Sequence, residues 1–246
     1  MNRTFNLLPA LIALALSLHP WAGTQADTGE STRVAEDQQR AGSFEGSKAY
    51  REKSAYVLTE LDLKPGDVVV DVGAGDGWWA EKMAQAVGPQ GAVHAGEVVQ
   101  GKVDKMKQQY ADLPQLKPYL IPTDGTAMEE NSCDLAFISK TYHHLNKDGH
   151  VDYLRHLQSI VKPAGRLVVV ERYRELGVGR SRDHAWSPGL LTQQAEEAGW
   201  ILVRCELIKG SDHFIAIFVQ KGVFAVKPPA KTSNAVNAKP DDPGKP

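Results

Sequence analysis

Three glycines at alternate positions, with acids on either side, form the segment of the sequence best suited to hold a ligand. It runs from Val68 to Gly77 (VVVDVGAGDG), a β-branched apolar run followed by a glycine-rich turn. Glycine lets a backbone bend sharply and approach a ligand closely, and a helix that opens after such a turn has free amide N–H groups. The segment therefore predicts a ligand site at the carboxyl end of a buried strand.

The charges in this turn indicate which kind of ligand it holds. A dinucleotide site has the spacing G-x-G-x-x-G, but here Gly77 comes one residue early and Trp78 stands in the expected place. Asp71 precedes the turn and Asp76 lies within it, and their carboxylates would repel a pyrophosphate. They would favour a cationic nucleoside without phosphate, such as S-adenosylmethionine (SAM), which carries a sulfonium and an ammonium group.

The elements around the turn predict an α/β fold with a parallel sheet, because strand and helix patterns alternate along the chain. Helices are expected at 48–61, 78–87, 102–110, 149–161 and 187–198, and strands at 68–72, 92–95, about 120–121, 135–139, 166–170, 200–208 and 213–220. The last two strands suit an antiparallel hairpin. Ligands bind at the carboxyl ends of parallel strands, where Glu97 and Asp124 follow the second and third strands.

Together these motifs resemble those of the class I SAM-dependent methyltransferases, in particular the small-molecule methyltransferases. VVVDVGAGDG resembles the family's first motif, Asn131–Ile138 (NSCDLAFI) the strand leading to its fourth, and Lys162–Val170 (KPAGRLVVV) the turn and strand after it. The resemblance covers about Tyr50 to Lys221. It implies a Rossmann-like doubly wound sheet of seven strands in the order 3-2-1-4-5-7-6, with strand 7 antiparallel.

The resemblance also implies SAM as the cofactor and methyl transfer to a small molecule as the activity. In the family's pattern, Glu97 binds both ribose hydroxyls and Asp124 reaches the adenine amino group. The cofactor-binding residues implied are Asp71, Gly73, Ala74, Gly75, Gly77, Glu97, Val98, Asp124, Gly125 and Ser139.

Ser139–Leu145 (SKTYHHL) lies where the methyl group should point. It lacks the N/D-P-P-Y pattern used for amino groups of bases or glutamine, which disfavours nucleic-acid substrates and that class of protein substrate. SAM is a strong methyl donor, so positioning alone can suffice. His143 or His144 could act as a general base; alternatively, one packs against the turn and the other lines the pocket. Tyr142 is a candidate pocket wall or catalyst.

Four histidines fall near this segment: His143, His144, His150 and His156. No acid or cysteine shares a ligand spacing with them, so no metal site is expected.

Two further groups of residues have more than one interpretation. Arg182, His184 and Trp186 form either a lid over the substrate or an ordinary exposed loop. Cys133 and Cys205 should lie unpaired on strands that are not neighbours, as small buried residues.

The two ends of the chain differ from the expected domain at 48–222. Residues 1–26 contain Arg3, an apolar run from Leu7 to Leu18 and small residues up to Ala26, as in a secretory signal. We expect a periplasmic or secreted protein, or, if the segment is uncleaved, an N-terminal membrane anchor. Residues 27–47 are expected to be a flexible linker and residues 223–246 a disordered tail.

The net charge of −2 gives no sign of nucleic acid as a partner. Two other functions stay open. SAM is made in the cytosol, so an exported chain could be a non-catalytic module of the same fold that binds SAM or another nucleoside in the cell envelope. A nicotinamide-dependent enzyme is disfavoured by the glycine spacing and by Asp71. The methyl acceptor and the oligomeric state stay open.

Overall fold

The computed structural model describes residues 50–146, 148–176 and 184–224. The expected signal or anchor at 1–26, the linker at 27–47, Arg182 and the tail beyond residue 224 lie outside these residues. Within them, none of the helices has both the length and the apolar character needed to cross a bilayer.

Helices and strands alternate along the described residues, as expected from the sequence. The α-helices are α1 Ser54–Leu61, α2 Trp78–Val87, α3 Gln100–Gln109, α4 His150–Ile160 and α5 Pro188–Glu197. The strands are β1 Val68–Val72, β2 Ala92–Glu97, β3 Leu116–Leu120, β4 Cys133–Ser139, β5 Val161–Arg172, β6 Trp200–Leu207 and β7 His213–Gln220. Short 3-10 turns follow β4, β5 and β7, at Tyr142–His144, Arg174–Leu176 and Lys221–Phe224.

The strands form one sheet in the order β3-β2-β1-β4-β5-β7-β6. The first five strands pair in parallel, and β7 is antiparallel to both β5 and β6. This confirms the predicted order and the predicted hairpin. The carboxyl ends of β1, β2, β4 and β5 meet at one edge of the sheet, which is where ligands bind in such folds.

Alternate residues of β1 pack into two hydrophobic cores, one on each face of the sheet. Val69 belongs to the cluster that contains Met83 of α2, and Val70 to the cluster that contains Leu157 of α4. Burial on both faces is typical of a parallel strand covered by helices on each side. Because β1 is held on both faces, the turn that follows it has a fixed position.

Two details differ from the sequence-based expectations. β5 begins at Val161 and not at Arg166, because Val161 already pairs with Cys133 of β4. A register shift follows this first pair, and the regular ladder then begins with Leu135 opposite Arg166. Cys205 is exposed, because it lies on the outermost strand β6, whereas Cys133 is buried as expected. Both thiols are free, which confirms that the two cysteines are not paired.

Candidate active site

The turn between β1 and α2 has a backbone that favours glycine. Gly73, Gly75 and Gly77 have positive φ angles of 74°, 62° and 80°. A Cβ on Gly73 would lie 2.4 Å from the Thr141 side chain, whereas a Cβ on Gly75 would meet nothing within 4 Å. Gly75 therefore leaves open space at the strand end, which a ligand can enter.

Glu97, the last residue of β2, is buried and bound to this turn. Its carboxylate accepts the backbone N–H of Gly75 at 3.0 Å, of Val98 at 3.0 Å and of Val99 at 3.2 Å. The Lys102 Nζ donates to the same carboxylate at 3.4 Å, from a side chain that is 54% exposed. The backbone bonds fix the carboxylate, and a ligand hydroxyl could replace the exposed lysine.

Asp71, the fourth residue of β1, is a buried acid with unused hydrogen-bonding capacity. It is 2% exposed, and among the described residues its Oδ2 has no hydrogen-bond partner. Burial, with the negative charges of Asp76 and Glu97, raises the pKa of Asp71 from 3.8 to about 7. A nearby cation would favour the ionised form, so this carboxyl group suits a positively charged ligand.

Among the cavities at this edge of the sheet, two neighbouring ones are lined by most of the predicted cofactor residues. The larger has a volume of about 570 Å³, within the usual range for sites that bind small molecules. Five predicted cofactor residues line it: Gly73, Gly75, Glu97, Val98 and Ser139. The smaller, of about 140 Å³, shares Gly73, Gly75 and Ser139 with the larger and adds Asp71 and Ala74.

Three predicted cofactor residues line neither cavity. Gly77 is the N-cap of α2, and a Cβ there would lie 2.6 Å from the Tyr110 ring, so Gly77 serves helix packing. Asp124 is exposed, one residue after Thr123 of the larger cavity. Gly125 is buried, and its carbonyl accepts the Tyr153 hydroxyl at 3.2 Å. The contact between Asp124 and adenine stays a prediction.

His143 is held by a buried acid at the end of β5. Its Nδ1 lies 2.9 Å from Glu171 Oε2, with 4% and 0% of the two side chains exposed. The backbone N–H of His143 also donates to Glu171, at 3.3 Å. These bonds fix the imidazole next to the larger cavity.

His144 is the histidine of this pair that lines the larger cavity. Burial, together with repulsion from His143 and His184, lowers the pKa of His144 below its ordinary value of 6.5. The imidazole is therefore neutral at pH 7 and able to accept a proton.

His184 joins these two side chains from a distant part of the sequence. One nitrogen of each of His143, His144 and His184 lies within 4.8 Å of the others. The expectation of no metal site rests on His143, His144, His150 and His156 and does not include His184, which is 40 residues from His144 along the chain. The fold brings the three imidazoles together because the residues before α5 run beside the turn after β4.

Two other candidates are placed away from the cavities. Tyr142 is fully buried, and its hydroxyl donates to Gln194 at 3.0 Å, so it does not contact a ligand in either cavity. Trp186 stacks on His150, with ring centroids 4.7 Å apart, and packs against the core. These contacts anchor the segment that carries His184.

Three aromatic residues lie near the turn, and they occupy different positions. Trp79 is in the core, and Trp78 is half-buried with the Lys82 ammonium 4.6 Å from its ring centroid. Tyr50 is buried and lines the smaller cavity, and its hydroxyl lies 2.9 Å from Ser139 Oγ.

Sequence reasoning missed two residues of the site. Glu171 is an acid at the end of a buried apolar strand. The same pattern predicts Asp71, Glu97 and Asp124 as site residues after the first three strands, and it would also have indicated Glu171 after β5. Lys140 lines both cavities and has a positive φ of 55°, which is uncommon for a residue other than glycine. Composition gives no sign of such a backbone.

Comparison with known proteins connects this site to one family. Residues 69–165 match the family described as "Methyltransferase domain". A demethylmenaquinone methyltransferase of Bacillus cereus is 28% identical over 141 residues, which are 56% of this chain and 56% of that protein. A ribosomal RNA large subunit methyltransferase E of Chromohalobacter salexigens is 30% identical over 96 residues, covering 35% of this chain and 46% of that protein.

A solved SAM-dependent methyltransferase from Aquifex aeolicus has the same fold. Its TM-score is 0.62 at 24% identity, over 67% of this chain and 87% of that chain. The chain spans about half the length of the two curated relatives named above.

The site fits the cofactor that the family and the fold indicate, which is SAM. Gly75 leaves space for a ligand, Glu97 is an oriented carboxylate at the cavity wall, and Asp71 has a buried oxygen able to face a cation. The family match, the sheet order and these residues agree: the chain carries a class I SAM-dependent methyltransferase domain.

Proposed function

We propose that this chain transfers the methyl group of SAM to a small-molecule acceptor in the larger cavity. One observation carries the proposal: Gly75 and Glu97, on the cofactor side, line the same cavity of about 570 Å³ as His144. Methyl transfer requires that acceptor and donor lie together in a space closed to water, and such positioning can account for roughly 7–11 kcal/mol of a barrier.

On the cofactor side, Glu97 would accept the ribose hydroxyls, displacing the exposed Lys102 ammonium. Asp71 would face the cationic end of SAM from the smaller cavity. SAM, when bound, supplies an electrophilic methyl group. The residues of this chain bind it and orient it.

On the acceptor side, His144 would take the proton of a hydroxyl or similar group as that group attacks the methyl carbon. Its imidazole is neutral and lies at the cavity wall. Glu171 holds the neighbouring His143, which packs on His144 with ring centroids 4.0 Å apart. Glu171 and His143 would thus position the base without contacting the acceptor. A general base typically contributes about 10²–10⁴-fold to a rate.

The two curated relatives act on different acceptors according to their names, a demethylmenaquinone and a ribosomal RNA. The cavity favours the first class. Val98, Ile121 and Leu145 give it apolar walls, which suit an apolar ring better than a charged phosphate backbone. The net charge of −2 also offers little attraction to RNA. We therefore propose an apolar acceptor with an ionisable group.

We further propose that residues 1–26 direct the chain to the periplasm or to the outside of the cell. Their apolar run of about twelve residues is shorter than the roughly 20 that span a bilayer. Sequencing the N-terminus of the protein from its native host would show cleavage after Ala22 or Ala26. An intact Met1 would contradict a cleaved signal.

The test of the function is methyl transfer from SAM with a labelled methyl group, in a buffer with a metal chelator. Acceptors would include demethylmenaquinol, simple catechols and ribosomal RNA. We expect label in an extractable small molecule, and a rate at least about a hundredfold lower for His144→Gln. His94→Gln, at a half-buried histidine of β2, is the matched control. Labelling of RNA alone, or SAM binding without any transfer, would contradict the proposal.

A further inference from the structure

We propose that His143, His144 and His184 form a binding site for a divalent transition-metal ion beside the larger cavity. Three imidazole nitrogens, one from each residue, lie within 4.8 Å of one another. Imidazole suits zinc, copper, iron and nickel ions, whereas calcium and magnesium prefer oxygen ligands. The expected ligand is therefore an ion of the zinc type.

The separations of the three ring nitrogens are close to those of nitrogen ligands around one bound ion. Zinc binds histidine nitrogen at about 2.0–2.1 Å, so ligand atoms around one ion lie about 3.3 Å apart in a tetrahedron. Closing the present separation needs side-chain movements of about 1 Å. His144 and His184 are exposed and can make them, while His143 stays fixed.

Glu171 supplies the outer contact that a histidine ligand needs. A histidine bound to metal usually donates its other ring N–H to a carboxylate or a carbonyl. With Nδ1 of His143 donating to Glu171 at 2.9 Å, the lone pair of Nε2 is available. The Glu171 side chain is fully buried, so its position behind His143 is fixed.

His184 is positioned by the two residues that follow it. Ala185 is buried, and the Trp186 backbone N–H donates to the Arg172 carbonyl at 2.9 Å. Trp186 also stacks on His150. The segment is thus tied to the end of β5, one residue from Glu171, and the third imidazole is held near the other two.

A set of three histidines leaves at least one coordination position open, as in catalytic zinc sites. Because His144 lines the larger cavity, a ligand in that cavity could take this position. An ion there would bind an acceptor oxygen and favour its deprotonated form. In that state the imidazole lone pairs are occupied, so the ion would replace His144 as the group that favours deprotonation.

The experiment measures ion binding without SAM or acceptor, so its result does not depend on the proposed function. The full chain, made without a histidine tag and treated with chelator, is titrated with Zn²⁺ by calorimetry and with Co²⁺ by absorption. We expect one ion per chain and the visible absorption of cobalt bound to nitrogen. His184→Ala should weaken binding at least tenfold, and Glu171→Gln by about 10–100-fold.

His94→Gln is the matched control and should bind as the unchanged chain does. Circular dichroism verifies that each variant folds. If Glu171→Gln does not fold, the affinity of His184→Ala alone tests the proposal, since the His184 side chain is exposed and its removal should not disturb the fold. Absence of ion binding by the unchanged chain, or equal affinity in folded His184→Ala, would overturn the proposal.

Discussion

The imidazole Nδ1 of His143 lies 2.9 Å from the Glu171 carboxylate, and the two side chains are almost completely enclosed. This contact joins the end of β5 to the 3-10 turn Tyr142–His144 that follows β4. His144, the residue after His143 in that turn, lines the larger cavity. A buried acid thus fixes the part of the cavity wall that carries His144.

Removing one member of this pair should cost stability. His143→Ala leaves the Glu171 carboxylate buried without its imidazole partner, and we expect the free energy of unfolding to fall by about 2–4 kcal/mol. Urea unfolding with chelator present measures it. The double variant His143→Ala/Glu171→Gln should recover part of the loss, because the unpaired charge is gone. A loss below about 0.5 kcal/mol for the single variant, typical of surface changes, would contradict this view of the pair.

Asp71 should make the stability of the cofactor-free protein depend on pH. Its pKa of about 7 in the folded protein exceeds the ordinary value of 3.8. Between these values the folded state binds more protons than the unfolded state, so its contribution is full below pH 4 and is lost as pH rises to 7. The slope can reach about 1.4 kcal/mol per pH unit.

Unfolding titrations from pH 4 to 8 would show this slope, and Asp71→Asn should reduce it. Asp112→Asn, at an exposed acid, is the control and should leave the slope unchanged. Equal slopes in the unchanged chain and in Asp71→Asn would mean that this carboxyl group ionises in the ordinary range.

SAM binding should release a proton from Asp71 below pH 7. The cationic end of SAM favours the carboxylate, so the group must ionise as SAM binds. At pH 6 we expect release of close to one proton, visible as a binding enthalpy that differs between buffers of different ionisation enthalpy. Affinity should rise as pH increases to about 7. Asp71→Asn should show neither effect; if it behaves as the unchanged chain does, the proton comes from elsewhere.

Alanine substitutions at Gly75 and at Gly66 should distinguish the loss of space for a ligand from the effect of backbone strain. Gly75 and Gly66 both have positive φ, and a Cβ on either meets nothing within 4 Å. Alanine at either position should cost about 1–2 kcal/mol of stability. Only Gly75 lines the cavities. We expect Gly75→Ala to weaken SAM binding at least tenfold and Gly66→Ala to leave it unchanged; equal affinities would place SAM elsewhere.

Much of the fold follows from local patterns in the sequence. The apolar run Val68–Val72, the glycines after it and the alternating helices predict the sheet and its ligand edge, because these features depend on neighbouring residues. The same patterns predict Asp71 and Glu97 at that edge, since Glu97 is the last residue of β2 and Asp71 the last but one of β1. The early start of β5 does not follow, because it depends on a register shift against β4.

The acceptor side was less predictable, because it depends on contacts between distant residues. His143 and His144 are visible as a pair in the sequence, but which one is enclosed depends on Glu171, 28 residues later. His184 joins them through the packing of Trp186, and Tyr142 turns into the core. No spacing rule in a single sequence connects these residues.

Calorimetric titration of the full chain with SAM, and separately with NAD, tests the central claim most directly: the acids at these strand ends hold a cationic nucleoside. We predict one SAM bound per chain, affinity at least tenfold weaker in Asp71→Asn and in Glu97→Gln, and no detectable NAD binding. Tighter binding of NAD than of SAM, or SAM affinity unchanged in both variants, would contradict the account.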